Sequence, residues 1–215
     1  MGTSPASEEY LQAVYTLADE GASVIAARIA QFLSVSAPAV SEMVHRLERA
    51  GLVSLDQRKE VHLTARGKEA ADSVVLRHRL AERFLVDMLG YEWWRTHEEA
   101  ERLEHALSPE MVERLRAALG DPQTCPHGNP MPGMPARPTR PLDAVTLGEM
   151  AVVERIPDQF EHEPGFLEYL DRQGVRPGVT LRILGPGERG ELRVEIEGRG
   201  RSIRADCGQK VWVRA

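Results

Sequence analysis

The sequence predicts a mainly α-helical protein that ends in a small β-rich module. Three observations predict it: the order helix, helix, turn, helix, hairpin within residues 1–73; apolar residues at helical spacing through most of 65–119; and strand-like alternation beyond 143. The 215 residues suffice for two or three small cores. With 42% hydrophobic and 28% charged residues the composition is that of a soluble globular chain. No apolar run approaches the roughly 20 residues that span a bilayer. Met1–Pro5 has neither the basic nor the apolar region of a secretion leader, so a cytoplasmic protein with no membrane partner is expected. Cys125 and Cys207 lie far apart, so no disulfide framework is needed and a reducing compartment fits.

Tyr10, Leu11, Val14, Tyr15 and Leu17 form the apolar stripe of a first helix over 7–19, closed at Asp19-Glu20-Gly21. Val24, Ile25, Ile29, Ala30 and Leu33 line a second. Ser36 is placed to cap a third, Pro38 falls in its first turn, Val40, Met43, Val44 and Leu47 supply its core face, and Gly51 ends it. Leu52–Leu55 and Val61–Thr64 read as strands joined by the polar tip Asp56–Glu60. This is the order of a winged helix-turn-helix. In such a module the start of the third helix meets base edges and a basic wing tip meets phosphates. Ser36, Ala37, Pro38, Ser41, Glu42 and Arg46 are therefore the candidates for base edges, and Arg28, Arg58 and Lys59 for phosphates. Residues 1–73 carry seven Lys/Arg against ten Asp/Glu, and the whole chain has a formal charge of -6. Binding to double-stranded DNA is thus expected to depend on local charge placement and on a homodimer presenting two helices.

One long helix is expected from Ala65 to about Leu89, then Glu98–Leu107 and Pro109–Leu119, the last capped by Ser108. These make a helical domain over 74–128 with a candidate dimer surface. Glu101, Glu104 and His105 stack at i, i+3, i+4, and His78 and Glu82 at i, i+4, so two adjacent helices can enclose a divalent cation between carboxylates and imidazoles. A carboxylate-rich set without thiolate suits manganese or ferrous iron better than copper or zinc. Cys125 and His127, at i, i+2 on an extended loop, can also turn toward one ion. Asp121–Pro141 holds seven of the chain's 14 prolines and reads as a semi-rigid linker, its 129–141 part separating the last domain, 142–215. In that domain Ala144–Arg155, Val179–Leu184, Glu191–Glu197 and Val211–Arg214 read as strands and Gly165–Gln173 as a short helix. Gly185, Gly187 and Gly190 match G-x-G-x-x-G, but they join two strands and open no helix. A hairpin turn explains them, and no organic cofactor is expected.

The stretches His78–Leu85, His97–Glu101 with Leu103–His105, and Cys125–Pro130 resemble the diphtheria toxin repressor family of metal-dependent transcriptional regulators, and the likeness runs along nearly the whole chain. The resemblance implies a primary, activating site of Glu9, His78, Glu101, Glu104 and His105. Iron-sensing members place sulfur where Glu9 and Glu101 stand and manganese-sensing members place carboxylates, so the chain is similar to the manganese-sensing three-domain branch. Gln12 stands where some manganese regulators offer a further Glu, which speaks against a two-metal primary site. A second site is implied at Glu82, Cys125, His127 and Asp158. His97 and His162 belong to the alternative ligand arrangement of iron-sensing relatives, in which Gly165 replaces a further side chain. The resemblance also implies an SH3-like (FeoA-like) barrel for the C-terminal module. The expected protein is a Mn2+-dependent repressor of metal-transport genes that binds operator DNA as a metal-activated homodimer. Fe2+ is the alternative ion, with Zn2+, Co2+ or Cd2+ as substitutes in vitro. A metal-dependent hydrolase is the rival from another class, because carboxylate and imidazole cages also activate water, but no H-E-x-x-H is present. A winged-helix regulator that senses an organic ligand is the third.

Overall fold

The computed structural model describes residues 4–215, so the first three residues of the Met1–Pro5 stretch lie outside the described residues. Ser4 caps helix α1 (Pro5–Asp19) by accepting the Ser7 N–H, and Pro5 opens it where a missing donor costs nothing. The apolar stripe of α1 packs on α2 (Ala26–Phe32) and α3 (Ala37–Arg49), around Leu11, Ile29, Val40 and Leu47. Ser36 caps α3 by accepting the Ala39 N–H. Val24, expected inside the second helix, stays extended because its carbonyl accepts the Val61 N–H of the wing. The wing is β1 (Val53–Leu55) paired antiparallel with β2 (Val61–Leu63). At its tip Asp56 Oδ1 accepts the N–H groups of Arg58 and Glu60, each at 2.8 Å.

Thr64 caps α4 (Ala65–Arg83) by accepting the Gly67 N–H at 3.0 Å. A Cβ at Gly67 would sit 1.7 Å from the Leu52 carbonyl oxygen, so only glycine lets α4 leave the hairpin this closely. The helix runs unbroken across residue 73, which gives the DNA-reading module and the metal-ligand candidates one rigid axis. Its expected continuation to Leu89 changes winding into a π-helical turn, Phe84–Met88. Then come α5 (Thr96–Glu104) and α6 (Pro109–Ala118), with Ser108 as the cap of α6.

Within the stretch read as a semi-rigid linker, residues 124–131 are packed, while 135–138 stay exposed. Cys125, His127 and Asn129 are buried, Thr124 bridges Pro130, and Met131 joins Leu80 and Val112 in a small core. The C-terminal domain contains β3 (Arg140–Pro141), β4 (Met150–Arg155), α7 (Asp158–Glu161), α8 (Phe166–Gln173), β5 (Thr180–Pro186), β6 (Leu192–Ile196), β7 (Arg199–Ile203), α9 (Cys207–Lys210) and β8 (Trp212–Arg214). The strands form an antiparallel sheet in the order β3-β8-β4-β5-β6-β7, bent by irregularities in the β4–β8 and β5–β6 pairs. The largest buried cluster among the described residues belongs to this sheet and α8, so the mainly α-helical expectation holds only in part: helices prevail up to α6 and the sheet beyond it. The strand expected from Ala144 begins only at Met150, because Glu149 accepts from the Thr146 N–H and hydroxyl and folds that stretch into a turn. The three glycines do lie at the β5–β6 hairpin. No helix among the described residues is long and apolar enough to cross a membrane.

Candidate metal centre

All nine candidate DNA contacts, Arg28, Ser36, Ala37, Pro38, Ser41, Glu42, Arg46, Arg58 and Lys59, are exposed. The metal candidates lie behind them, where α4, α5, the Cys-Pro-His loop and α7 meet.

Glu82, on the buried side of α4, is 1% exposed and is the hub. Its Oε1 lies 3.2 Å from His127 Nδ1, 3.4 Å from His78 Nε2 and 3.7 Å from His97 Nδ1. Glu161, at the end of α7, brings Oε2 to 3.2 Å from His127 Nδ1 and 3.4 Å from His97 Nδ1. His78 Nε2 and His97 Nδ1 are 3.1 Å apart. Two overlapping donor groups result: His78, Glu82, His97 and Glu161, and Glu82, Cys125 and His127. The loop is held in register by its own chemistry. Gly128 has φ +89°, and a Cβ there would lie 1.9 Å from the Glu154 carbonyl oxygen, so glycine permits the loop to lie on β4. The Ile156 N–H donates to the His127 carbonyl, and Asn129 Nδ2 donates to the Ile156 carbonyl and to Glu161 Oε1 at 2.9 Å. His127 Nε2 donates to the Trp93 carbonyl at 2.8 Å, which aims Nδ1 at the two carboxylates.

Burial opposes charge on these imidazoles, yet the carboxylates beside them prevail. His78 is raised to about 9 by Glu82 and Glu104, and His97 and His127 are raised well above the usual imidazole value. Burial likewise opposes ionisation of the acids, but the facing imidazoles pull Glu82 well below the carboxylate range and Glu161 to about 2. Burial, then the Glu82 charge, pushes the Cys125 thiol up to about 11. Even so, Glu82 Oε1 and His127 Nδ1, which face each other in the cage, are buried without a hydrogen bond of good geometry. Buried polar atoms are rarely left so, and converging carboxylate, imidazole and thiol donors are a set that a divalent cation satisfies. The residues present fit a bound metal ion.

The five primary candidates are only partly gathered. His78 Nδ1 and Glu104 Oε2 are 2.6 Å apart, and Glu104 Oε1 is 3.4 Å from His105 Nε2. The Nε2 of His78 turns the other way, into the cage, so the residue belongs as much to the second group as to the first. Glu101 Oε1 lies 3.4 Å from His97 Nε2. Glu9 is exposed, and lines with Glu101, Glu104 and His105 a hollow of about 460 Å³. It is the neighbouring Glu8 whose carboxylate meets His105 Nδ1, at 2.9 Å, and Arg77, at 2.6 Å.

Asp158 is placed apart from the other second-site candidates. Its Oδ2 pairs with Arg79 at 2.6 Å and accepts the Thr16 hydroxyl at 3.4 Å, and it is in neither donor group. The carboxylate of the C-terminal domain that faces the cage imidazoles is Glu161, three residues later, which the sequence reading missed. His97, expected only as an alternative, is in the cage. His162 stays outside, exposed, with its ring edge-on to His97 at a centroid distance of 4.3 Å.

Residues 2–61 match the N-terminal DNA binding domain of iron dependent repressors, 64–133 their metal binding and dimerisation domain, and 140–215 the FeoA domain. The chain is 44% identical over 190 residues to the iron-dependent repressor IdeR of Mycobacterium leprae (strain TN), covering 82% of this chain and 83% of that one. It is 39% identical over 190 residues to the diphtheria toxin repressor of Corynebacterium diphtheriae, covering 83% and 84%. Among solved structures it is similar to a manganese-dependent transcriptional repressor in complex with manganese, with a TM-score of 0.86, 37% identity and coverage of 97% and 99%. The manganese regulator SloR gives a TM-score of 0.78 at 34% identity, with coverage of 99% of each chain.

Proposed function

Because the chain belongs to the family of iron-dependent repressors, metal-dependent transcriptional repressors that bind DNA and are not enzymes, we propose that it is the manganese-responsive kind. In this reading it binds operator DNA as a metal-activated homodimer and represses metal-transport genes. The observation that carries metal control is α7. Its single turn sends Glu161 into the cage, Asp158 to Thr16 of α1 and Arg79 of α4, and the Gln159 N–H to Glu20 Oε1 at 3.3 Å. His162, which caps the turn, stacks edge-on against Phe32 of α2 at 4.7 Å. Whatever fixes Glu161 therefore biases the placement of the helices that present the recognition surface.

Glu9, Glu101, Glu104 and His105 would hold the activating ion, and Glu82, Cys125, His127 and Glu161, with His78 and His97, a second. When bound, the ion supplies the positive charge that the facing carboxylates otherwise draw from protonated imidazoles. The protein's part is orientation. Asn129 fixes the Glu161 carboxylate, and Trp93 fixes the His127 ring. Oxygen donors at Glu9 and Glu101 support manganese. The Cys125 thiol and the identity to iron repressors favour Fe2+ as the second reading. Exposed Met88, Leu89 and Met111 on the helical domain support self-association.

Binding to candidate operator fragments at fixed salt, with and without Mn2+, Fe2+ and Zn2+, tests this on the wild type and on Glu104→Gln. Mn2+ is expected to tighten binding of the wild type and to do much less for the variant. Binding that ignores metal would sink the proposal, and a response to Fe2+ at concentrations where Mn2+ does nothing would turn it to iron.

A further inference from the structure

We propose that His97, Glu101 and His162 form a third divalent-cation site, at the mouth of the buried cage, through which the cage is loaded. The proposal rests on the reading that the cage holds a cation. Its ligand atoms lie within 4.8 Å of one another, and they face solvent at Glu101 and His162. His97 is 9% exposed, and its Nε2, the atom turned toward Glu101, is buried with no hydrogen-bond partner.

The position explains the arrangement. Glu82, His78 and His127 are 1%, 4% and 0% exposed, so an ion reaches them only past a more open cage residue. His97, whose side chain is 11% exposed, is that residue, and with Glu161 it lines a hollow of about 580 Å³ together with Glu101 and His162. Glu98 also lines it beside Arg95, while Glu163 and Glu168 on its rim are paired with Lys210 and Arg172, so the open carboxylate that faces the imidazoles is Glu101.

His97 joins the outer site to the inner one. Its Nε2 faces Glu101 outside, and its Nδ1 faces Glu82 and Glu161 inside. A neutral imidazole has one lone pair, so it ligates on one side and carries a proton on the other. With a cation on Nε2, Nδ1–H donates inward to the carboxylates. When the cation passes to Nδ1, that proton leaves to water, and Nε2 takes one up and donates it to Glu101. One proton is lost and one gained, and the two sites cannot share the ring without losing a second proton. The outer site is thus filled while the cage is empty and released once the cage is full.

The test is stopped-flow loading of the full-length protein with Co2+, read by the thiolate-to-cobalt absorption of Cys125, in the wild type and in His162→Ala. Loss of one outer ligand is expected to slow loading by at least about tenfold, with the final spectrum and stoichiometry unchanged. An unchanged rate overturns the proposal. So does an equal loss of equilibrium affinity, which would make His162 a cage ligand. Crystals of Glu82→Gln soaked in Zn2+ provide the second measurement, with density expected between His97 Nε2, Glu101 and His162; its absence overturns the site. A wild type without any Cys125–cobalt band counts against the cage, and the zinc crystals then still decide the outer site.

Discussion

Replacing Glu82 with Gln removes the carboxylate that faces three imidazoles and leaves the shape of the side chain. The size of the effect follows from His78, which the structure moves from the ordinary 6.5 to about 9. A displacement of that size is worth on the order of 3 kcal/mol, an upper bound for the part of the Glu82 effect that passes through His78, because Glu104 shares it. The folded-state value is raised, so this stability is fully present below about 6.5 and is lost as pH rises through about 9. In EDTA, Glu82→Gln should therefore lower the midpoint of thermal unfolding at pH 6 by up to roughly 6–12 °C for a chain of this length. Above pH 9 the His78 share of the deficit should be gone. Circular-dichroism melts of the full chain at the two pH values read it directly. An equal deficit at both would refute the charged His78–Glu82 pair.

The exchange Glu161→Gln should lower cation affinity at the cage by at least about tenfold, whereas Asp158→Asn should leave it nearly unchanged while loosening the Arg79 contact; isothermal titration separates them. For Gly128→Ala, a Cβ placed 1.9 Å from the Glu154 oxygen at φ +89° should cost about 3 kcal/mol or more and unseat the Cys125–Asn129 loop, seen as lost cage stoichiometry and earlier melting. Arg58→Ala with Lys59→Ala should weaken operator binding evenly across sequences and flatten its salt dependence, by about one unit of log–log slope per phosphate contact removed. Because His127 and His97 are held protonated by their carboxylates, cage affinity should rise with pH from 6 to 8, about tenfold per pH unit for each proton displaced. A flat pH profile would mean that the ion binds elsewhere.

The features legible in the sequence are those set by local rules. Ser36 before Ala37-Pro38 fixes the start of α3 because a capping hydroxyl and an N-terminal proline act within one turn. The spacing of His78 and Glu82 survives because α4 is long and regular. Glu101, Glu104 and His105 line one hollow, but their side chains also find other partners. α5 ends at Glu104, so His105 leaves the helical register and turns to Glu8, while Glu101 finds His97 one turn back. Glu161 was hidden for a different reason. A helix of four residues has no periodicity to read, and whether Asp158 or Glu161 enters the cage depends on Arg79 holding Asp158, a contact 79 residues away in sequence. The Arg199-Gly200-Arg201-Ser202-Ile203 stretch shows no apolar alternation, and it becomes a strand by pairing with β6 at the sheet edge.

A cage of this kind has to persist without its ion, or a sensor would have nothing to sense with. Three carboxylates, Glu82, Glu104 and Glu161, buried with no counter-charge would be ruinous to stability, yet each faces an imidazole that takes a proton in its presence. Protons thus stand where the cation would stand, and they keep the side chains gathered. They hold them loosely, because an imidazolium donates along one direction per nitrogen and leaves Glu82 Oε1 without a well-directed bond among three rings. A cation is satisfied by all of these directions at once. On the proposed reading the two states differ in convergence more than in composition, and a Glu161 drawn toward the ion would pull on the same turn that holds Thr16, Glu20 and Phe32.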